Sequence, residues 1–474
     1  MQNSADQPGL TSVQAADVVG QYADRSKDNS GFAILWQQSP GSTESPCITF
    51  GFPGLSPERQ QTTGLNRLIC WRHGLCHRHR VGITSSRVSA RKHTIRWWYD
   101  LLRTAVLRVA TDTECVVAIQ GTATYESLAR AAMLFGVPLV DVGINETTAT
   151  VDELARWLVT HGVRSAETTP DIWHVQVAPA LADESSIISE TSIPERDVLS
   201  VTQTQRCCVL QCRDQGNLHR LLIEQLSNAG TTDLHILAAQ TPHMPAKVQA
   251  ELYKAGAIPW LVDGLQSNEA PTNLTKTCVQ SDELADGPLN QPQHWLCHWT
   301  RPREGAWPGE SSIDYLDELV LGCETTDRSA LASLLRIIDC QHILAAHLRG
   351  EYSAVSFTAV PLSEFRSRRV YRRHKRHYDF EPWGVAVLKK SLTAAGAKPV
   401  RYGSSDDAAA SDLWFQPGTD AANTIDWTAE KEWRLPHQLD LKQLPVESVC
   451  VFVNQLREVD AVRSVCNWPV VVVP

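Results

Sequence analysis

The sequence predicts an α/β protein of at least two domains, with a parallel sheet in the middle of the chain and a mixed α+β domain at its C-terminal end. The first observation is length, because 474 residues exceed what one hydrophobic core usually organises. The second is a junction at Gly136-Val137-Pro138, where glycine ends a predicted helix and proline begins the next strand. Its recurrence indicates strands that alternate with helices, and hence a largely parallel sheet.

Related junctions occur at Gly256-Ala257-Ile258-Pro259 and at Gly396-Ala397-Lys398-Pro399. Between residues 95 and 265, short apolar runs typical of buried strands alternate with amphipathic stretches, so we expect one α/β domain there. Residues 266–310 lack periodicity and are rich in polar residues and proline, which is typical of a linker.

The ends of the chain complete this division. Residues 311–474 regain periodicity and are expected to form the C-terminal α+β domain. Residues 1–94 are expected to be a partly disordered N-terminal region with a few short strands, since the first 30 residues are polar and show no clear period.

Composition excludes some functional classes. A net charge of −9 argues against general nucleic-acid binding through bulk charge, although a local basic patch stays open. The polar start lacks the apolar core of a signal peptide, and no run reaches the ~18–20 apolar residues of a membrane helix. We therefore expect a cytoplasmic protein, in which most of the 13 cysteines are buried reduced thiols, among them Cys207, Cys208 and Cys212.

Two predicted strand-to-helix turns are candidate ligand sites. One contains Gly121, Thr122 and Thr124, and the other contains Arg213 and Asn217. Open α/β sheets bind ligands at the carboxyl ends of their strands, where free helix N–H groups favour phosphate or carboxylate. The sequence has neither a Gly-x-Gly-x-x-Gly motif nor a Walker lysine, and every such connection needs a turn, so a structural role stays open.

The segment from Cys70 to His79 carries two thiols and three imidazoles. Zinc takes four such ligands, but the spacing matches no common zinc motif and the neighbouring arginines would repel a cation. The partner cluster that could complete a site is His294 with Cys297 and His298, and its signal is weak. A basic surface loop is the alternative, and we assign no metal.

A basic run at residues 366–377 stands out in an acidic chain. On a helix, Arg369, Arg372, Arg373 and Arg376 would share one face. Arginine forms forked contacts with phosphate, so the run would suit a nucleotide pyrophosphate, a nucleic acid or an acidic protein face. A solvated helix face is the alternative.

A pair of carboxylates lies near the C-terminal end. On a strand, Glu430 and Glu432 would point to the same face, ~6–7 Å apart. Two carboxylates so placed can divide labour, one binding a substrate hydroxyl and one acting as acid, base or charge stabiliser. The alternative is an edge strand in which they form salt bridges with Lys431 and Arg434.

The C-terminal domain resembles an uncharacterised bacterial domain family that is often associated with abortive phage infection. The likeness spans roughly residues 327–460 and rests on short motifs at residues 355–358, 380–385, 396–402 and 430–434.

The same residues resemble the Arg–Ser–Glu pattern of ADP-ribosyltransferases, which implies NAD as cofactor. The resemblance gives Arg349 the cofactor phosphate, Ser356 and Thr358 the nicotinamide pocket, and Glu432 the essential carboxylate with Glu430 as helper. The chain departs from the pattern in two ways. Arg349 lies only seven residues before Ser356, and phenylalanine stands between Ser356 and Thr358 where that family has threonine. Arg369, Arg372 and Arg373 are the alternative phosphate ligands.

The middle domain resembles Rossmann-like nucleotide-sensing domains found beside bacterial defence effectors, through Gly121-Thr122 followed by a helix. The leading hypothesis is therefore a phage-defence protein in which a domain binding a small nucleotide accompanies an effector that transfers or hydrolyses ADP-ribose. One alternative is a non-enzymatic sensor that binds nucleic acid or another anionic partner through the basic run. Another is a purely structural pair of domains.

Overall fold

The computed structural model describes residues 10–28, 33–37, 46–50, 67–72, 78–88, 95–145, 147–161, 171–181, 193–227, 234–262, 287–349, 352–372, 377–403, 412–419 and 426–473. The chain forms two compact units. The first unit comprises Met1–Asn268 and Glu310–Thr326, and the second comprises Glu269–Gly309 and Asp327–Pro474. The segment Glu310–Thr326 thus belongs to the first unit, although it was expected in the linker and the C-terminal domain.

The first unit contains helices and strands in alternation. Its helices are α1 (Ser12–Asp28), α2 (Arg96–Leu107), α3 (Tyr125–Phe135), α4 (Val151–His161), α5 (Glu195–Thr202), α6 (Asn217–Ser227), α7 (Ala246–Lys254) and, later in the chain, α8 (Ser312–Leu321). Its strands are β1 (Ala33–Gln37), β2 (Pro46–Phe50), β3 (Leu68–Arg72), β4 (His79–Ser85), β5 (Glu114–Ile119), β6 (Leu139–Ile144), β7 (Thr148–Ala149), β8 (Ile172–Val177), β9 (Ala180–Leu181), β10 (Arg206–Gln211), β11 (His235–Ala239) and β12 (Ile258–Trp260).

Within the described residues, ten of these strands form one sheet in the order β1-β2-β3-β8-β6-β5-β4-β10-β11-β12. Neighbours from β8 to β12 are parallel, whereas β1, β2 and β3 extend the sheet as antiparallel strands. The chain builds from β4 through β5, β6 and β8, then returns to the other side of β4 with β10. This doubly wound order is of the Rossmann type and confirms the predicted α/β fold.

Local sequence explains the helices that cover this sheet. In α2, Trp98, Leu102 and Val106 recur at helical spacing and are all buried. Helix α3 ends at Gly136, whose φ of 63° is the left-handed conformation predicted for the glycine before Pro138.

The described residues of the N-terminal region include a helix and four strands of the large sheet. Ala15, Val18, Val19 and Tyr22 form a buried stripe on α1, which packs against α4. Strand β4 lies in the middle of the sheet, so the α/β unit begins well before residue 95. The polar residues between the buried positions of α1 concealed the helical period.

The second unit is built on a smaller sheet. Its strands are β13 (Trp295–Trp299), β14 (His342–Ile343), β15 (Ala346–Arg349), β16 (Tyr352–Thr358), β17 (Tyr371–Arg372), β18 (His377–Tyr378), β19 (Gly384–Leu388), β20 (Lys398–Pro399), β21 (Arg401–Gly403), β22 (Phe415–Pro417), β23 (Glu432–Leu435), β24 (Leu439–Asp440), β25 (Val449–Val453) and β26 (Val470–Val472). Its helices are α9 (Ala330–Cys340), α10 (Phe365–Arg368), α11 (Lys389–Ala394) and α12 (Leu456–Arg463).

The main sheet of this unit runs in the order β20-β23-β16-β13-β19-β25-β26, with β15 beside β16. Its pairs are antiparallel except for β25 with β26, which confirms the predicted mixed α+β character. Buried residues of α9, α11 and α12 pack on one face with Val385 and Val451. Trp299, Phe365 and Phe452 pack on the other, so both faces are covered.

The expected linker at 266–310 contributes a central strand, which corrects that prediction. Strand β13 lies between β16 and β19 and pairs with β19 along its whole length. Trp295, Leu296 and Cys297 are buried, but only five residues form the strand and polar residues surround them. The composition of the surroundings therefore hid a short apolar run.

In the part of the chain that the structure describes, no helix combines the length and the apolar character that crossing a membrane requires.

Two glycine-to-alanine substitutions are expected to change stability in opposite directions. A Cβ at Gly384 would overlap the His298 carbonyl oxygen and lie 2.5 Å from the Phe452 ring, so Gly384→Ala should cost roughly 2–3 kcal/mol. A Cβ at Gly20, within α1, meets nothing within 4 Å, and Gly20→Ala should gain about 0.5–1 kcal/mol. Denaturant unfolding of both variants checks the signs, and a stabilised Gly384→Ala would contradict the packing around β19.

Candidate active site

The second unit contains a cleft of about 1740 Å³ at the ends of its central strands. Strands β13, β16 and β23 provide one side, and one face of α9 provides another, through Ser333, Arg336 and Cys340. Strands β13 and β16 pair at a single position, Cys297 with Thr358, whereas β13 pairs with β19 over five positions. The cleft therefore opens where β16 leaves β13.

An imidazole lies at this break in the sheet. The Nδ1–H of His298 donates to the Ser356 carbonyl oxygen at 2.9 Å, because a carbonyl can only accept. Burial lowers the pKa of His298, so the ring is neutral at pH 7 and its Nε2 is an acceptor. From the sequence, His298 was expected only as part of a weak candidate metal cluster. Its signal was a polar residue inside an otherwise apolar strand.

Glu432 is held in the cleft by two donors. The Ser356 hydroxyl donates to Oε1 at 2.7 Å, and the Arg434 guanidinium donates from Nε to Oε1 at 3.0 Å and from Nη2 to Oε2 at 2.8 Å. A carboxylate offers about four acceptor positions, so these three bonds leave one, on Oε2. The backbone N–H of Glu432 donates to the Tyr402 hydroxyl at 3.0 Å, which fixes the start of β23.

Arg434 is itself anchored on its other side. Its Nη1 donates to the carbonyl oxygens of Leu413 at 2.8 Å and Phe415 at 3.3 Å, and its Nη2 donates to the Gln416 side chain. Only 7% of Arg434 is exposed. Because a buried guanidinium with several partners cannot rotate freely, Arg434 fixes the orientation of Glu432, a role that the sequence analysis did not assign to it.

Glu430 does not share a strand with Glu432, which corrects the predicted geometry of the pair. Glu430 ends the 3-10 helix Trp427–Glu430, and Lys431 follows in the left-handed conformation with φ 48°. Strand β23 therefore begins at Glu432. Glu430 and Glu432 still line the same cleft, and the Thr358 hydroxyl donates to the Glu430 carbonyl oxygen.

The described residues of the basic run do not form one continuous helix. Helix α10 ends at Arg368, and Tyr371–Arg372 pairs with His377–Tyr378 in the two-stranded ladder of β17 and β18. Arg369 lies 3.8 Å over the Tyr378 ring and pairs with Glu381 at 3.1 Å, contacts that favour an extended backbone at this position. Arg369 and Arg372 therefore do not share a helix face.

Three of the arginines predicted to bind the cofactor phosphate have side chains outside the described residues. Arg349 ends β15 and Arg372 ends β17, but both side chains lie outside the described residues. Arg373 lies outside them entirely.

Other arginines line the cleft and were missed. Arg301, Arg303 and Arg336, which we call the cationic wall, are exposed and make no ion pair with any carboxylate that the structure describes. Arg301 is also close enough to His298 to lower the pKa of its imidazole, after the larger effect of burial. The sequence signal for Arg336 was its place on the same face of α9 as Ser333 and Cys340.

In the first unit, the turn after β5 uses its side chains internally. Gly121 has φ 80°, which favours glycine. The Thr122 hydroxyl donates to the Ile119 carbonyl oxygen at 2.7 Å, and the buried Thr124 hydroxyl donates to that of Ile83 at 3.0 Å.

The turn after β10 is similar. The Arg213 guanidinium donates to the Arg87 carbonyl oxygen, and the Asn217 side chain accepts from Arg220 at 2.7 Å. The two turns lie at the carboxyl ends of strands on either side of β4, as expected, but all four side chains are engaged in bonds within the protein. Their role in ligand binding remains a prediction.

One group of potential metal ligands in the described residues comprises Asp214, His219 and Glu251. The Gln215 N–H donates to His219 Nδ1 at 3.2 Å, so the neutral ring carries its proton on Nε2, the nitrogen nearest Glu251. Lys247 also donates to Asp214 at 3.0 Å. A metal would have to displace both the proton and the ammonium group, so we assign none here.

Of the five candidate ligands in the cysteine–histidine segment, the structure describes only Cys70 and His79. Cys70 is buried in β3, where desolvation raises the pKa of its thiol to about 12, and a protonated thiol is a poor ligand. His73, Cys76 and His77 lie outside the described residues. Every described cysteine is a free thiol, and Cys207, Cys208 and Cys212 are buried as expected.

No family model and no curated protein sequence matches the chain. Among solved structures, the chain is similar to DNA processing protein A (DprA) from Streptococcus pneumoniae, with a TM-score of 0.28 and 11% sequence identity. The alignment covers 41% of this chain and 62% of that one, which is less than two thirds of the length of DprA. The Rossmann-type assignment of the first unit therefore rests on its own strand order.

Proposed function

We propose that the second unit is an NAD-using enzyme that cleaves the bond between nicotinamide and ribose and passes ADP-ribose to water or to an acceptor. The observation that carries the proposal is the carboxylate of Glu432, which lines a large cleft and is fixed by Ser356 and Arg434. This trio agrees with the Ser and Glu positions implied by the resemblance to ADP-ribosyltransferases.

The chemistry needs a fixed negative charge. When the bond from ribose C1′ to nicotinamide breaks, its electron pair leaves with the nicotinamide nitrogen, and positive charge develops on the ribose. The Glu432 carboxylate stabilises that charge, and its remaining acceptor position on Oε2 binds a ribose hydroxyl. The incoming oxygen or nitrogen then bonds to C1′ and loses its proton, for which Glu430 is the nearby base.

The neighbouring residues position this carboxylate. Ser356 and Arg434 hold it in one orientation before substrate arrives, so little reorganisation is needed during the reaction. Neutral His298 adds an acceptor at Nε2, and Thr358 holds the Glu430 backbone.

The cationic wall is the proposed site of the NAD pyrophosphate. Arg301 and Arg336 are exposed in the cleft and make no ion pair with a described carboxylate, whereas Arg369 is engaged with Glu381 and Tyr378. Guanidinium groups bind phosphate through forked, charge-assisted hydrogen bonds. The wall therefore replaces the basic run as our choice of phosphate ligand, and Arg349 stays a second candidate.

Removing the wall should weaken binding of the ADP-ribose part of NAD. Arg301→Ala and Arg336→Ala are each expected to raise the Kd for ADP-ribose roughly tenfold, because each removes charge-assisted hydrogen bonds to a phosphate. Isothermal titration measures the effect, and Arg457→Ala, an exposed arginine on α12 outside the cleft, is the matched control. If all variants bind ADP-ribose with the same affinity, the cationic wall does not bind the pyrophosphate.

For the first unit we propose a small nucleotide ligand at the carboxyl ends of β4 and β10, where the order of the sheet reverses. Support comes from that topology and from the neighbouring turn after β5, where α3 starts without a side-chain cap.

The two other readings are less well supported. Nucleic-acid binding through residues 366–377 is less well supported, because Arg369 contacts Glu381 and Tyr378 within the protein. A purely structural role would also use the ion pair of Glu432 with Arg434, but it gives no reason for exposed Arg301 and Arg336 in the same cleft, which make no ion pair with a described carboxylate. Release of nicotinamide from NAD by the purified chain separates the enzyme from both.

A further inference from the structure

Helix α8 lies in the first unit, although the chain on both sides of it belongs to the second. Residues 269–309 precede the segment and residues 327–474 follow it, and only Glu310–Thr326 is packed in the first unit. The segment packs against α2 and α3, with Tyr315, Leu319 and Val320 buried.

Three arginines of the first unit hold this segment. Arg130, on α3, donates from Nε at 2.5 Å and from Nη2 at 2.6 Å to the two carboxylate oxygens of Asp317. Two arginines of α2 bind backbone carbonyls at the end of α8: Arg103 donates to Val320 at 2.8 Å, and Arg96 donates to Gly322 at 2.9 Å. A helix leaves its last carbonyls without partners, so these guanidinium groups act as a C-terminal cap.

The residues on either side of the segment build one wall of the cleft. Before it, Arg301, Arg303 and Trp307 line the cleft. After it, Arg328 is completely buried, with its guanidinium 4.7 Å from the Trp307 ring and donating to the Gly305 carbonyl oxygen at 3.3 Å.

The two flanks are also bonded to each other. The backbone N–H of Arg303 donates to the Arg328 carbonyl oxygen at 2.8 Å. Gly305 and Gly309 have φ of 78° and 87° with open space around them, so the flank before α8 bends at two glycines. Residues 301–308, which include Arg301 and Arg303, and residues 328–336 therefore connect directly along the chain to the two ends of the segment.

We propose that α8 is a tether through which the first unit controls the cleft. While α8 is docked on α2 and α3, its two ends fix the wall formed by residues 301–308 and 328–336. A change in the first unit that loosens α8 then loosens this wall and its arginines. The structural part of this proposal is independent of the proposed NAD chemistry, and its consequence for substrate binding rests on that function.

Charge reversal at the anchor tests the tether. The variant Asp317→Arg with Arg103→Ala should release α8, and hydrogen exchange by mass spectrometry should show faster exchange in residues 312–321. The proposal predicts that exchange also rises, roughly fivefold, in residues 301–308 and 328–336, while residues 449–453 of β25 stay protected. Adding Arg130→Asp restores the Arg–Asp pair with exchanged partners and should return the wall part of the way to its original protection.

Exchange that rises in α8 alone would overturn the proposal, and so would a wall that is mobile in the unchanged protein. Ile313→Ala, at an exposed and uncharged position of the same helix, is the matched control. The measurement is made without NAD, so a chain that fails to use NAD still gives an answer. If NAD use is established, the released variant should also bind ADP-ribose at least about threefold more weakly.

Discussion

Replacement of Glu432 with glutamine is expected to lower the rate of nicotinamide release from NAD by roughly 10²–10⁴-fold. The amide has nearly the same shape, and its oxygen can still accept from Ser356 and from Arg434 Nε. Its NH2 group, however, cannot accept from Arg434 Nη2, and the side chain lacks the negative charge that stabilises the developing ribosyl cation. Affinity for ADP-ribose should fall by at most about tenfold, since one contact to a ribose hydroxyl is weakened while the phosphate contacts elsewhere in the cleft are kept. Steady-state kinetics would therefore show the loss in kcat rather than in KM.

The control for this experiment is Glu447→Gln, which removes an exposed carboxylate of the same unit outside the cleft and should leave the rate unchanged. A Glu432→Gln variant that keeps the wild-type rate would exclude Glu432 from the reaction.

Replacement of Arg434 with alanine is expected to lower the free energy of unfolding of the second unit by roughly 3–5 kcal/mol. Only 9% of the Arg434 side chain and 11% of the Glu432 side chain are exposed, so the variant leaves a buried carboxylate without its countercharge. It also leaves the carbonyl oxygens of Leu413 and Phe415 without a donor.

Arg368→Ala is the matched control, because its ion pair with Glu364 is much more exposed, at 31% and 41% of the two side chains, and should contribute at most about 1 kcal/mol. Denaturant unfolding of both variants gives the comparison. Equal losses would mean that the Glu432–Arg434 pair is solvated, and would remove the reason for its fixed geometry.

The fold was predictable where the sequence pattern is local. Helix α3 and the glycine that ends it could be read directly, and the alternation of strands and helices predicted the parallel sheet. Helix α1 and strand β13 were missed because polar residues surround their few buried positions. Neither the strand order nor the membership of α8 in the first unit has a local signal, since both depend on contacts far apart in the chain.

The candidate site was predictable only through its motifs. Ser356 and Glu432 were expected together and are bonded, because each lies on a strand whose pairing brings distant motifs side by side. The relation of Glu430 to Glu432 was wrong, since the left-handed Lys431 between them cannot be read from residue types. The cationic wall was missed because Arg301 and Arg336 lie in different elements that meet only in the folded unit.

Whereas the cationic wall was missed, the basic run was predicted as a binding site on too little evidence. Its density of arginine drew attention, but the contacts of Arg369 with Tyr378 and Glu381 are internal. Charge density in a sequence does not distinguish an arginine that packs within the protein from one that faces a ligand.

The most direct test of the central claim is proton NMR of NAD incubated with the purified full-length chain, followed over time for free nicotinamide. The proposed function predicts that nicotinamide accumulates with the wild-type chain and not with Glu432→Gln under the same conditions. NAD that stays intact with the wild-type chain, or nicotinamide released equally by both, would contradict an NAD-cleaving site built on Glu432.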